Sequence, residues 1–95
     1  MLFMVIERFT DRNPAPIYAR LQEQGRALPD GLRYIDSWIE ANFDRCFQLM
    51  ECDDMQLFQQ WVAHWKDLVD FEIVPVCTSK EAAASHETRN RASGG

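Results

Sequence analysis

Hydrophobic and polar positions along this chain change rhythm several times, and each change marks an element. Leu2–Phe9 is an apolar run of β-compatible residues and predicts a first strand. Asp11–Arg12–Asn13–Pro14 interrupts it, with Asn13 suited to cap a helix that has proline at its first position. From Pro14 to about Ala27 the residues Ile17, Leu21 and Leu28 recur at helical intervals, although Gly25 weakens the last turn. Leu28–Pro29–Asp30–Gly31 is a turn. Leu32 to Asn42 then alternates, with Tyr34, Asp36, Trp38 and Glu40 on one side and Ile35, Ser37 and Ile39 on the other, as a second strand does. Asn42–Phe43–Asp44 turns the chain into a third strand, Arg45–Cys52, so the two form a hairpin. Asp53, three residues before Gln56, makes a pair of the capping-box kind. It opens a helix on which Leu57, Trp61, Trp65 and Leu68, flanked by Phe58 and Val62, form one broad apolar face. Phe71–Cys77 is a fourth, short strand, and Pro75 places it at an edge or bulge.

The order is βαββαβ, the split β-α-β arrangement of an α+β, ferredoxin-like fold. Two right-handed crossovers put both helices on one face of a four-stranded antiparallel sheet in spatial order 4-1-3-2. The other face is left bare. Because Asp36 and Gln48 are polar, Ile35, Ile39, Phe47 and Leu49 are assigned to the helix side, with Met4 and Ile6. The bare side then shows Tyr34, Asp36 and Trp38, then Cys46, Gln48 and Met50, with Phe3, Val5 and Glu7 from the first strand. That mixture is too apolar for water and too polar for a closed core. It suits a homodimer of the dimeric α/β-barrel kind, in which two sheets pack face to face around a small cavity.

The chain has 95 residues, enough for one domain near the small end of what folds alone. Residues 1–78 are assigned to that domain. Residues 79–95 form a polar tail, with a helical turn around Lys80–Ala84 and partial disorder beyond. A net charge of −5, with acids interleaved among the arginines, argues against a nucleic-acid footprint. No stretch approaches the roughly 18–20 apolar residues of a membrane span, and Met1–Phe9 lacks the basic start of a signal peptide. Cys46, Cys52 and Cys77 are odd in number and lack metal-ligand spacing, so they read as reduced thiols in a cytoplasmic protein with neither metal nor cofactor.

Four segments carry a resemblance: Leu28–Pro29–Asp30–Gly31–Leu32, Tyr34 to Trp38, Arg45–Cys46–Phe47–Gln48–Leu49–Met50–Glu51, and Trp65–Lys66–Asp67–Leu68–Val69–Asp70–Phe71–Glu72. Together they resemble a small bacterial family catalogued as domain of unknown function 3303, over roughly Met1 to Lys80. The resemblance implies a ferredoxin-like domain of the dimeric α/β-barrel kind and no established activity. More distantly, the layout is similar to cofactor-free monooxygenases and small-molecule binders built on that barrel. The Asn–Trp–His set of haem-degrading members has no counterpart here, since neither His64 nor His86 falls in a strand.

The candidate ligand-binding residues are Glu7, Tyr34, Asp36, Trp38, Cys46, Gln48 and Met50. Asp36 or Glu7 would serve as proton acceptor, Tyr34, Trp38 and Gln48 as positioning groups, while Cys46 lacks an evident activating neighbour. Asp36 is equally explained as a wet edge residue, and Gln48 as an amide bonding across a subunit boundary. Three functions follow: a homodimer binding a small organic molecule between paired sheets, a cofactor-independent monooxygenase or isomerase on the same frame, or a structural dimerisation module whose interface is filled.

Overall fold

The computed structural model describes residues 1–94, with side-chain surroundings for residues 1–87. Strand β1 spans Leu2–Phe9 and leads through a short turn, Thr10–Arg12, into helix α1, Ala15–Gln24. Strands β2 (Arg33–Ile39) and β3 (Arg45–Glu51) form the hairpin, helix α2 runs Gln56–Trp65, and strand β4 is Val69–Val76. The sheet order is β2-β3-β1-β4, with every neighbouring pair antiparallel, so the fold is α+β and ferredoxin-like. No described helix is long and apolar enough to cross a membrane.

Local chemistry explains the boundaries. Asn13 Oδ1 accepts the N–H of Ala15 at 3.1 Å at the entry to α1, and Gly25 at φ +65° ends it. A Cβ at Gly25 would meet nothing within 4 Å, so glycine serves the backbone there and makes no room for a neighbour. At α2 the capping carboxylate is Asp54, whose Oδ1 accepts Gln56 N–H at 2.9 Å; Asp53 instead faces solvent near the N-terminal amine, at 3.7 Å. Pro75 sits on the edge strand β4, where its missing N–H disturbs no second ladder. A third helix, α3, covers Ser79–Gly94, longer than the turn suggested around Lys80–Ala84. Thr78 and Glu81 form its capping box: Thr78 Oγ1 accepts Glu81 N–H at 3.0 Å and Glu81 Oε1 accepts Thr78 N–H at 3.3 Å. Residues 79–87 are exposed throughout.

The assignment of sheet faces is corrected by the structure. Phe3 meets Phe58 of α2 edge-on with ring centroids 5.0 Å apart, and Phe71 meets Trp61 at 5.3 Å. Phe3, Val5 and Glu7 of β1 therefore lie under the helices, as do Cys46, Gln48 and Met50 of β3, and all six are buried. Met4, Ile6, Phe47 and Leu49 alternate onto the open face. On β2 a bulge intervenes between Tyr34 and Asp36. Tyr34, Ser37 and Ile39 pair with the covered residues Met50, Gln48 and Cys46, whereas Asp36 and Trp38 pair with the open-face residues Leu49 and Phe47. One extra residue switches the parity of a strand. Strict alternation had put Tyr34, Asp36 and Trp38 together and Ile35 beneath the helices; Ile35 is 48% exposed.

Candidate functional site

Polar groups in the covered face define the site. Glu7 and Gln48 are 5% and 6% exposed, the two buried polar residues among those described. Both sit in central strands of the sheet, and Gln48 Nε2 donates to Glu7 Oε1 in a close contact. Arg26 Nη1 donates to Gln48 Oε1 at 3.4 Å, and its guanidinium lies 3.6 Å from the centre of the Tyr34 ring. A buried amide is thereby partnered on both sides, which is why Gln48 tolerates the covered face.

The loop after α1 aims Arg26. Gly25 and Ala27 on either side of it both have positive φ, +65° and +56°. For Ala27 that conformation costs about 1–2 kcal/mol. It is held by two indoles of α2: Trp61 Nε1 and Trp65 Nε1 both donate to the Arg26 carbonyl, at 2.9 and 3.2 Å. The four-residue spacing of the tryptophans puts both on one turn-face of α2. They thus serve as core and as clamps for a cationic loop.

Between α1 and the sheet lies a cleft with two lobes. The inner one, about 30 Å³, reaches Trp61 and Trp65; the outer one, about 170 Å³, reaches Tyr18, Ser37, Ile39 and Cys46. Both are lined by Glu7, Ile17, Leu21, Arg26 and Gln48. Glu7 offers one further oxygen. Oε2 takes no hydrogen bond from the described residues, and none of their buried side-chain polar atoms is left without a partner, so Oε2 opens onto the cleft. Arg26 likewise has N–H groups beyond the one given to Gln48, and no carboxylate lies within ion-pair distance among the described residues.

Burial sets the acid–base character here. The Glu7 carboxyl is raised from 4.5 to about 7 by desolvation, which the Arg26 charge only partly offsets. Burial, reinforced by Glu7, pushes the Cys46 thiol up to about 12, so it lines the wall as a neutral group. Tyr34 Oη and Ser37 Oγ share a hydrogen bond of 2.5 Å.

Of the residues expected to form a site, Glu7, Cys46 and Gln48 meet in this cleft and Tyr34 supports it through Arg26. Met50 is fully buried and lines neither lobe. Asp36 and Trp38 are separated from the others on the open face, and Asp36 Oδ1 accepts the N–H of Ser37 at 2.8 Å. Sequence reasoning did not identify Arg26, the cleft's cation. Its signal is faint: an arginine between Gly25 and Ala27 just past a helix, distinguished only once the tryptophans reach its carbonyl. Among the described residues no three His, Cys, Asp or Glu side chains converge as metal ligands would.

The model of one protein family, described as a domain of unknown function (DUF3303), matches residues 1–90, and the chain belongs to that family. No curated protein and no solved structure matches it.

Proposed function

We propose that this member of the DUF3303 family binds a small organic molecule in the cleft beneath α1, one molecule per subunit. The observation that carries this reading is Glu7, a carboxyl buried in the middle of the sheet with an oxygen left open to a cavity. A buried carboxyl costs stability, and a purely structural core has no use for an acceptor turned to a cavity. Apolar walls around a few convergent polar groups are the usual make-up of a small-molecule site. The ligand pocket thus lies within each subunit, and the chamber between paired sheets loses Glu7, Cys46, Gln48 and Met50 as walls.

Pairing of two subunits remains part of the proposal, carried by a different observation. The open face presents Met4, Ile6, Phe47 and Leu49 partly exposed, with Trp38 at 52%. A second copy, bringing the same flat apolar surface, is the occupant we assign.

Native mass spectrometry of freshly purified protein, followed by an NMR titration with toluene, tests both parts. The expected result is a mass of twice the 11.1 kDa subunit, with the indole N–H signals of Trp61 and Trp65 shifting at one toluene per subunit. Saturation at one toluene per dimer with Trp38 responding would return the site to the space between sheets. Failure of toluene to move any indole signal would remove the ligand reading altogether.

A further inference from the structure

Resting on the cleft reading, we propose that its ligand is a one-ring molecule bearing an acidic hydroxyl, a phenol or cyclic enol, whose O–H donates to Glu7 Oε2 while its oxygen accepts from Arg26. Size comes first. The outer lobe of about 170 Å³ exceeds the roughly 150 Å³ at which an apolar protein cavity admits benzene, so a single ring fits. The walls suit a flat ring: Ile17 and Leu21 on α1, with Trp61 and Trp65 behind.

Polar matching then selects the functional group. The cleft presents an open acceptor on Glu7 and open donors on Arg26, while Gln48 gives one N–H and one lone pair to these two. Above about pH 7, where Glu7 is ionised, a ligand carboxylate would satisfy Arg26 but set a second acceptor against Glu7. An amine would satisfy Glu7 and leave Arg26 facing a like charge. A ketone accepts from Arg26 but leaves the ionised Glu7 oxygen without a donor. A hydroxyl both donates and accepts, and so completes both groups. An acidic hydroxyl does this best, because its bond to a carboxylate is charge-assisted and strong. The raised carboxyl of Glu7 brings it nearer to the affinity for protons of such a ligand, which favours sharing the proton.

The test is a binding series on the full chain with probes of nearly one shape: p-cresol, toluene, p-toluate and 4-methylbenzylamine, read by calorimetry. The expected result is p-cresol binding at least tenfold tighter than each of the other three. Glu7→Gln and Arg26→Met should each remove the advantage of p-cresol over toluene, with circular dichroism checking that both variants fold. If toluene enters but p-cresol gains nothing, the cleft stands and the hydroxyl assignment falls. A preference for p-toluate or the amine overturns it equally, and exclusion of all four defeats the cleft reading itself. The wild-type comparison of p-cresol with toluene decides the matter even where a variant is unstable.

Discussion

The two faces of this sheet both carry apolar side chains and differ in how their polar groups are disposed. Under the helices, Phe3, Val5 and Met50 surround Glu7 and Gln48; on the open face, Met4, Ile6, Phe47 and Leu49 form an apolar strip, with Asp36 and Glu72 beside it on the two edge strands and Arg8, Arg33 and Glu51 toward the strand ends. The covered face is where polar groups are costly, and it holds them in a bonded chain from Glu7 through Gln48 to Arg26. The open face is where apolar groups are costly, and they remain uncovered. A buried polar chain beside a cavity points to ligand chemistry, whereas exposed flat apolar surface points to association. The proposed ligand site and the proposed dimer surface thus lie on opposite sides of one sheet.

The tryptophans offer the sharpest way to break that contrast. Trp61→Ala removes a 4%-exposed ring and one clamp on the Arg26 loop, and should cost about 3–5 kcal/mol in urea unfolding. Trp38→Ala, measured where the protein is monomeric, should cost less than about 1 kcal/mol. Equal losses would mean that the faces are not distinct.

Titration probes the covered face next. Glu7 holds its proton more tightly folded than unfolded, so its contribution to stability is complete below about pH 4.5 and disappears as pH rises through about 7. Over that window the fold should lose about 3 kcal/mol attributable to this carboxyl. Glu7→Gln, which keeps an oxygen to accept from Gln48, should flatten the slope and be the more stable protein at pH 8. A wild-type slope that survives the substitution would exclude Glu7 as its source.

Phe47→Glu addresses the open face alone. Sedimentation should show dimer affinity falling at least a hundredfold, with monomer unfolding and toluene binding unchanged. Loss of toluene binding together with the dimer would tie the pocket to the interface and merge what is separated here. The smallest effect is chemical. In native protein iodoacetamide should label exposed Cys77 while Cys46 and Cys52 stay unmodified until the chain is unfolded. Native labelling of Cys46 would show the cleft to be far more open than its burial implies.

Much of the architecture was legible because it depends on short-range patterns. Leu57, Trp61 and Trp65 recur at helical spacing, the Asn42–Phe43–Asp44 turn joins alternating runs, and handedness rules order the strands. The start of α3 was legible only as a turn around Lys80–Ala84, because the residues beyond it carry no apolar stripe to mark a longer helix. What eluded pattern was the bulge at Ile35, which leaves no compositional trace and uncouples the parity of β2 from that of β3. Treating Asp36 and Gln48 as one polar stripe put Gln48 on the bare face, when its partners Glu7 and Arg26 lie 41 and 22 residues away under the helices.

Spacing along the chain thus dictated which segments become strands and helices, since a residue's neighbours three or four positions off decide whether an apolar stripe forms. Which side of the sheet the helices chose depended on partners distant in sequence: Phe58 for Phe3, Glu7 for Gln48, and the two indoles for the Arg26 carbonyl. Near the centres of β1 and β3 both faces are comparably apolar, so transfer free energy separates the alternatives weakly there, and long-range packing with hydrogen-bond satisfaction makes the choice.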